Sequence, residues 1–194
     1  MPVEKIDRRV RRTRALLLQG LIRLMSEKDI KDISVKELSD LVDINRGTFY
    51  LHYNDIFDMV EKLEDELFVE FNSILDRNLK EESQLHSPQS TLYDIFTFLE
   101  RHRDLAKVMI GPHGDLAFVN RLKSLVEERL RHLMKQENSS PKSEYGYAFL
   151  ISGYIGVIEL WLEHSDPHSP EKMAEICAGL LRNTFSPQKQ PQKE

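Results

Sequence analysis

Cysteine is almost absent from the 194 residues, and glycine and proline number only eight each. The one cysteine, Cys177, excludes an intramolecular disulfide, and its apolar helical surroundings favour a small buried side chain over a reactive thiol. No apolar signal region follows the charged residues 1–14, so nothing in the sequence predicts export. The expectation is a protein of the reducing cytoplasm.

Positive charge is also scarce, since 27 Lys and Arg stand against 32 Asp and Glu and give a formal net charge of −5. Taken alone, this balance disfavours a protein that binds phosphates. The charge is uneven, however: residues 1–53 hold 11 basic and 8 acidic side chains, and residues 54–194 hold 16 and 24. The sequence therefore predicts a small cationic head on an acidic body.

Long hydrophobic runs are limited to residues 145–162, which approach the length of a membrane span. This run contains Glu159 and three glycines and lacks basic flanks, so we interpret it as a buried helix and expect no membrane partner. No segment alternates with period two for long enough to predict a strand. The remaining patterns are helical, and they predict an all-α fold of about nine helices.

The amino-terminal part of the chain begins with an amphipathic helix, predicted over about residues 5–26. Its apolar residues recur at helical spacing, and arginines fill the other faces. Gly20 interrupts this helix at a cost of about 1 kcal/mol relative to alanine, which indicates a close crossing with another helix.

Two short helices follow, each with its own start signal. Ser34 and Glu37 form a capping-box pattern that begins the first of them. Asn45 is placed to cap the second, which is predicted over residues 46–52. A turn of about three residues joins the two, which is the geometry of a helix-turn-helix.

The second short helix is too polar to be explained by burial, since only Phe49 and Tyr53 are expected to point inward. Its other side chains are of the kinds that donate to phosphates or touch base edges: Asn45, Arg46, Thr48, Tyr50 and His52. A solvated helix face is the alternative for such a pattern. The capped helix before it and the basic arm favour a DNA-binding domain over residues 1–54.

The rest of the chain is predicted to form a second helical module. Asp55 is placed as a third cap and begins a connecting helix over residues 55–79, and the polar residues 80–90 are typical of a linker. Residues 91–185 are predicted as an effector-binding and dimerisation domain. Its helices are predicted over residues 91–102, 104–110, 115–136, 143–164 and 170–185. Residues 186–194 are predicted to be disordered.

The first part of the chain resembles the DNA-binding domain of the TetR family of bacterial transcriptional regulators. The resemblance rests on Thr13, on residues 34–38 and on residues 44–53, whose Gly-Thr-Phe-Tyr-x-His-Tyr block precedes a long helix. The remainder is similar to the family's ligand and dimerisation domain in helix count and order. The resemblance implies a cytoplasmic homodimer, not an enzyme, that binds a near-palindromic double-stranded DNA operator as a repressor. It also implies an unknown effector, either a small molecule or a protein, bound in the second module.

The resemblance further implies roles for individual residues. Base readout falls mainly to Asn45, Arg46 and Thr48, near the start of a recognition helix that enters the major groove. Tyr50 and His52 hold phosphates, as do hydroxyl groups on the earlier helices. The expected DNA-contacting residues are Arg12, Thr13, Ser34, Lys36, Asn45, Arg46, Gly47, Thr48, Tyr50 and His52.

Two positions depart from the family pattern. Asp43 stands where a glycine is common, and aspartate adopts the left-handed backbone less readily than glycine does. Ile56 stands where the fourth helix commonly begins with a lysine, and Asp55 and Asp58 place negative charge beside it. A lost phosphate contact lowers the salt dependence of binding by about one unit of log-log slope. The arginines of residues 8–14 are the expected compensation.

The helix predicted over residues 143–164 carries apolar side chains on two sides, whereas a surface helix needs only one apolar face. Complete burial inside one subunit is one explanation, and a subunit interface is the other. The resemblance favours a four-helix dimer interface with the last helix. The residues expected there are Phe149, Gly153, Gly156, Leu160, Ile176 and Leu180.

The sequence says least about the effector site. Candidate pocket residues are aromatic or polar side chains on the apolar helices of the second module: Tyr93, Phe96, His102, Tyr154 and Trp161. Side chains of these types belong to a core more often than to a ligand site.

Other function classes have weaker support. Residues 102–104, His-Arg-Asp, copy a catalytic tripeptide of protein kinases, but there is no Gly-rich loop and Met109 stands where that motif needs asparagine. Residues 164–168 include two histidines and an aspartate, yet they lie in a predicted polar loop, so neither a metal nor a cofactor is expected. A helical dimeric adaptor without DNA binding is the main alternative, and a small enzyme is the lesser one.

Overall fold

A computed structural model describes residues 8–79, 87–134 and 141–185 of the chain. These residues form nine α-helices and one short 3-10 helix, with no strand among them, which confirms the predicted all-α fold. The elements are α1 Arg8–Met25, the 3-10 helix Ile30–Asp32, α2 Val35–Leu41, α3 Arg46–Tyr50, α4 Ile56–Leu79, α5 Pro88–Arg101, α6 Arg103–Ile110, α7 Leu116–Met134, α8 Pro141–Glu163 and α9 Pro170–Phe185. Residues 80–86 of the predicted linker and the predicted tail 186–194 lie outside the described residues.

Three helix starts expected from the sequence are present. Ser34 Oγ accepts a hydrogen bond from the backbone N–H three residues later, at 3.1 Å. Asn45 Oδ1 accepts one from the N–H two residues later, at 2.8 Å. Asp55 Oδ1 accepts one from the N–H three residues later, also at 2.8 Å. Each side chain satisfies a donor that the first turn of a helix leaves without a backbone partner.

Some boundaries differ from those predicted. α3 ends at Tyr50, two residues earlier than expected, and the 3-10 helix between α1 and α2 was not predicted. α5 begins at Pro88, three residues earlier than expected. Ser87 Oγ caps it by accepting from the Ser90 N–H at 3.3 Å, and a proline in the first turn suits a helix start because that turn has no use for its N–H.

The chain forms two compact units. Among the described residues, the first comprises residues 8–69 and 104–120, and the second comprises residues 70–79, 87–103, 121–134 and 141–185. The first unit thus contains nearly all of α6, in addition to α1–α3 and the first half of α4. Periodicity along the sequence does not report contacts between distant segments. The domain boundaries placed at residues 54, 79 and 91 stay predictions.

The core of the first unit draws one or two side chains from each of its first four helices. Leu17 and Leu21 of α1, Leu38 of α2, Phe49 of α3 and Met59 of α4 are fully buried. α2 packs against both α1 and α3. Because α2 and α3 have only seven and five residues, apolar burial rather than helix propensity stabilises them.

Gly20 lies where α1 crosses α2. A Cβ atom at this position would lie 2.4 Å from Val42 Cγ1 and 2.8 Å from Leu38 Cδ1. Both distances are well below the optimal separation of about 3.5 to 4.0 Å between nonbonded carbon atoms. The close crossing predicted from the mid-helix glycine is confirmed.

In the second unit, Trp161 of α8 has several well-defined contacts. Its ring is buried and meets the Phe96 ring edge-on, with 5.3 Å between the ring centres. The Arg103 guanidinium lies 4.6 Å from the centre of the indole ring. The indole N–H donates to the His168 carbonyl at 2.8 Å. The burial of this ring therefore leaves its one polar group satisfied.

Arg103 also caps the C-terminal end of α8. Its Nη2 lies within hydrogen-bonding distance of three carbonyl oxygens, those of Trp161 at 2.7 Å, Leu162 at 3.0 Å and His164 at 2.9 Å. Carbonyls at a helix end lack intrahelical partners and carry partial negative charge, so a guanidinium stabilises them. The His-Arg-Asp tripeptide at residues 102–104 thus has a structural use in this fold.

Cys177 is fully buried in α9. Burial raises the pKa of its thiol to about 11, because the thiolate would lose its hydration. Very little thiolate is present at neutral pH, and the thiolate is the reactive form. The interpretation of Cys177 as a packing side chain is confirmed by its burial.

The close approach at Gly20 predicts an unusual response to alanine. Gly20→Ala gains about 1 kcal/mol of helix propensity, but the new methyl group overpacks the contact with Val42 and Leu38, which costs about 1 to 3 kcal/mol. We expect a net loss of about 1 kcal/mol in the free energy of unfolding, measured by urea titration.

Gly179→Ala is the matched control, since its Cβ would meet nothing nearer than 4.0 Å. We expect this variant to be as stable as the original chain or more so. Equal stability of the two variants would contradict the close crossing.

Candidate nucleic-acid interface

α3 separates a buried anchor from an exposed polar face, as expected from the sequence. Phe49 is fully buried, and Tyr53, just beyond the helix, is 4% exposed. The polar side chains of the segment are exposed or half-buried: Asn45, Arg46, Thr48, Tyr50 and His52. Gly47 is exposed as well. The helix is therefore anchored on one side and presents hydrogen-bonding groups on the other.

Two of the expected contact residues are also helix caps, and the capping hydrogen bond determines which of their donors and acceptors remain for a ligand. Asn45 Oδ1 is engaged by the Gly47 N–H, so the donors of its amide group remain for an acceptor. Ser34 Oγ accepts from the Glu37 N–H, and its hydroxyl hydrogen remains. Both side chains are thus positioned as donors, which suits a phosphate oxygen or an acceptor on a base edge.

The turn between α2 and α3 depends on Asp43, whose φ of 54° lies in the left-handed region. Just after it, the Ile44 N–H donates to the Ser39 carbonyl at 3.0 Å. Aspartate adopts this backbone more readily than most residues, though less easily than glycine. The left-handed turn expected at this departure from the family pattern is present.

Ile56 brings no cation to the start of α4, because its side chain is an uncharged hydrocarbon, and it is buried in the core at 3% exposure. The acidic residues beside it accept hydrogen bonds from backbone N–H groups. Asp55 caps the helix, and Asp58 Oδ2 accepts from the Asn54 backbone N–H at 2.8 Å. These carboxylates therefore stabilise the helix start, where negative charge is favourable.

Lys62 was not identified from the sequence, yet its ammonium lies at the junction of α3 and α4. Nζ is 2.8 Å from Asp58 Oδ2 and 3.4 Å from the His52 carbonyl oxygen. It also lies 5.5 Å from the centre of the Tyr53 ring. Its hydrogen bond is the main reason that the pKa of the Asp58 carboxyl is lowered. The four-residue spacing from Asp58 is visible in the sequence, but the approach to His52 is not.

The arginines of α1 differ in exposure, and Arg14 is held by contacts within the first unit. Arg14 Nε donates to the Tyr53 hydroxyl at 3.3 Å, and Arg14 Nη2 forms an ion pair with Glu66 at 2.5 Å. The other described arginines of the arm are exposed: Arg8, Arg9, Arg11 and Arg12. Among the expected contact residues on the earlier helices, Arg12, Ser34 and Lys36 are exposed and Thr13 is half-buried. Arg14 is therefore engaged within the first unit, which reduces its part in the compensation expected of the arm.

The outer side of α8 is apolar and open. Phe149 is 66% exposed and Leu160 is 57% exposed. No side chain of the described residues comes within 4 Å of the position of a Cβ at Gly153 or Gly156. On α9, Leu180 is exposed and Ile176 is half-buried. The six residues expected at a dimer interface thus leave a substantial apolar surface in contact with water.

α8 is not the buried helix that its hydropathy suggested. Of its apolar window within residues 145–163, with a mean hydropathy of 1.3, only 22% is buried in the single chain. Ile151 and Leu162 are buried, whereas the opposite side is exposed. By length and composition alone, the helix is also long and apolar enough to cross a membrane. Burial of this helix inside a single chain is therefore not observed, because hydropathy reports how apolar a helix is and not how much of it the rest of the chain covers.

The five candidate pocket residues have different surroundings in the second unit. Phe96 and Trp161 pack against each other in the core. His102 Nε2 lies 2.9 Å from Glu70 Oε2. The Tyr154 hydroxyl donates to the Cys177 carbonyl at 3.0 Å, and burial raises the pKa of Tyr154 to about 12. Tyr93 is exposed.

A half-open cavity of about 310 Å³ lies beside Trp161, the one candidate pocket residue among those that line it. Its walls are formed by α8, α9 and the loop between them. The lining residues are Val157, Leu160, Trp161, His164, Asp166, Pro167, His168, Met173 and Ile176. The described residues contain no group of three or more His, Cys, Asp or Glu side chains arranged to hold a metal ion.

Comparison with known proteins places the chain among regulators. A family model of the TetR C-terminal type, described as the C-terminal region of transcriptional regulators, matches residues 86–183. An uncharacterised HTH-type transcriptional regulator of Bacillus subtilis, YxbF, is 24% identical over 165 residues. These residues are 83% of this chain and 42% of that protein, so the chain spans less than half of the length of this relative.

Solved structures of regulators share the fold. A putative TetR-family regulator from Syntrophomonas wolfei has a TM-score of 0.64 at 16% identity, covering 90% of this chain and 95% of its own. A TetR regulator from Streptococcus agalactiae has a TM-score of 0.58 at 20% identity, covering 90% and 96%. The repressor FadR of Thermus thermophilus, solved in complex with lauroyl-CoA, has a TM-score of 0.52 at 17% identity, covering 93% and 99%.

The division of α3 into anchor and exposed face predicts separable effects on stability. Arg46→Ala and Tyr50→Ala remove exposed side chains, so we expect each to change the free energy of unfolding by less than about 0.5 kcal/mol. Asn45→Ala removes a cap and is expected to cost about 1 kcal/mol, whereas Asn45→Ser keeps an oxygen acceptor and retains most of that stability. Urea unfolding of the four variants checks these values. A large loss from Arg46→Ala would show that the polar face is structural.

Proposed function

Because the chain belongs to the TetR family of transcriptional regulators, we propose that it acts in the bacterial cytoplasm as a dimeric repressor. On this proposal, α3 enters the major groove of a double-stranded operator. An effector bound in the second unit changes the affinity for that operator. No catalytic activity is part of the proposal.

The observation that carries the proposal is the polar face of α3. A five-residue helix whose exposed side chains are largely polar gains little from packing there, and its only fully buried side chain is Phe49. The exposed groups include a guanidinium, an amide and a phenol, which together can hold phosphates and contact base edges. The caps at Ser34 and Asn45 favour the same interpretation, since helix amino-termini and hydroxyl groups bind phosphate oxygens.

Dimerisation is supported by the outer side of α8 and by α9. Exposed apolar side chains beside glycines without neighbouring side chains are suited to close helix packing with a second copy. A two-fold dimer requires two half-sites about 34 to 36 Å apart, which predicts a near-palindromic operator.

Effector control follows from linkage. The dimer has one arrangement of its two heads that binds the operator and another that does not. A ligand that binds the second arrangement more tightly lowers operator affinity, at most by the ratio of the ligand's affinities for the two arrangements. The lauroyl-CoA complex of FadR supports a small-molecule effector for this chain, and a protein effector is the alternative. The second unit is the proposed location, with Tyr93, Phe96, His102, Tyr154 and Trp161 as candidates.

A dimeric adaptor without DNA binding is the second candidate function, favoured by the acidic composition of the chain. It keeps the interface of α8 and α9 and assigns no partner to α3. The two functions differ in their response to duplex DNA at low salt.

Selection of bound duplexes from a random pool, followed by a salt titration, tests the function directly. We expect a palindromic consensus and a log-log salt slope of several units, because a dimer contacts several phosphates. Arg46→Ala and Tyr50→Ala should weaken binding while leaving stability unchanged. Absence of enrichment at low salt would exclude the regulator and leave the adaptor.

The dimer interface is tested by placing a charge on α8. Phe149→Glu should leave the fold of one chain intact, since the side chain is 66% exposed, but it should shift the dimer to monomer because the carboxylate would be buried at the interface. Analytical ultracentrifugation at micromolar concentration measures the change. Leu116→Glu is the matched control, since Leu116 is 70% exposed on α7. Equal dimerisation of both variants would place the interface elsewhere.

A further inference from the structure

We propose that Lys62 supplies the phosphate-contacting cation that the start of α4 lacks, and that Asp58 is a built-in competitor for that cation. This inference rests on the proposed DNA-binding function and deepens it. The ligand concerned is the phosphate backbone of the operator, contacted at the junction of α3 and α4.

The position of the ammonium is set by three groups at that junction. Lys62 Nζ donates to Asp58 Oδ2 at 2.8 Å and to the His52 carbonyl oxygen at 3.4 Å, and it lies 5.5 Å from the Tyr53 ring centre. His52 lies two residues beyond the end of α3 and is itself an expected phosphate contact. The Lys62 ammonium is therefore held beside the exposed end of the recognition helix and is not freely mobile in solvent.

The chemistry of the side chain leaves capacity for a further acceptor. A lysine ammonium has three N–H donors, and two are directed at Asp58 and His52. The Lys62 side chain is 47% exposed, whereas that of Asp58 is 21% exposed. An anion that arrives from solvent thus meets the ammonium more readily than the carboxylate.

Asp58 is held in place by more than its ion pair. Its Oδ2 also accepts from the Asn54 backbone N–H at 2.8 Å, so the carboxylate stays beside Lys62 when DNA approaches. A fixed carboxylate repels phosphate and shares the cation with it. An ion pair that solvent reaches is weak, so a phosphate can share the Lys62 ammonium with Asp58 at small cost. Asp58 therefore weakens DNA binding without preventing it.

Two substitutions separate these roles. Lys62→Gln should lower the log-log salt slope of operator binding by about one unit per subunit and weaken binding several-fold at low salt. Asp58→Asn should do the opposite and strengthen binding several-fold, because the amide oxygen can still accept from the Asn54 N–H while the negative charge is lost. Lys62→Arg should keep the slope of the original chain.

The ion pair between Lys172 and Glu175 on α9 provides matched controls, with the same 2.8 Å separation. Lys172→Gln and Glu175→Gln change the net charge by the same amounts, and neither should change the slope. The combination of Lys62→Gln with Asp58→Asn tests coupling, since loss of Asp58 should strengthen binding less once the cation is gone.

The experiment uses the full chain with a selected operator duplex, by fluorescence anisotropy at several salt concentrations, and urea unfolding checks each variant. If Lys62→Gln changes the slope no more than Lys172→Gln does, the inference is wrong while the DNA-binding function stands. If Lys62→Gln does not fold, a weaker or unchanged affinity of Asp58→Asn overturns the inference by itself. Failure of the original chain to bind any duplex would instead remove the proposed function.

Discussion

The burial of Phe49 is the interaction on which the rest of the interface depends. α3 has five residues, far fewer than the roughly 12 to 15 that an isolated helix needs in water, so it depends on the burial of this ring in the core and on the Asn45 cap. With Phe49 fully buried, the helical repeat turns the adjacent Thr48 and Tyr50 away from the core centre, and Arg46, one turn earlier, is exposed at the start of the helix. Gly20 permits this arrangement indirectly, because the close crossing of α1 and α2 sets the platform against which α3 packs.

Part of the charge in the first unit is committed to contacts within the chain. Asp55 and Asp58 act on backbone N–H groups, and Arg14 is divided between Tyr53 and Glu66. A count of basic side chains therefore overstates the number available to DNA. The 11 basic residues counted in residues 1–53 therefore include some, such as Arg14, that stabilise the fold.

The sequence predicted those features whose causes lie within three or four residues of each other. The caps at Ser34, Asn45 and Asp55 are local hydrogen bonds, and the alternation of Phe49 with polar neighbours follows from the helical repeat. The Ser87 cap of α5 was local too, but the surrounding polar residues resembled a linker and hid it.

Most features that depend on distant segments were not predicted, and the crossing at Gly20 is the exception. The approach of Lys62 to the His52 carbonyl, the contact of Arg103 with the end of α8, and the inclusion of residues 104–120 in the first unit all join residues far apart in the chain. The exposure of α8 belongs to the same group, because hydropathy reports how apolar a helix is and not how much of it the rest of the chain covers.

The commitment of Arg14 to contacts within the chain bears on both parts of the proposed function, DNA binding and dimerisation. Nonspecific affinity grows with the number of phosphates neutralised, so each cation engaged within a head lowers the affinity of that single head for DNA. Joining two heads makes the second binding event intramolecular, which raises the overall affinity without any new contact on either head. The apolar surface of α8 and α9 would then determine operator affinity as strongly as the residues of α3 do. An effector that alters the spacing of the two heads would change this gain in affinity from dimerisation. The gain matters most where neither head binds DNA well alone.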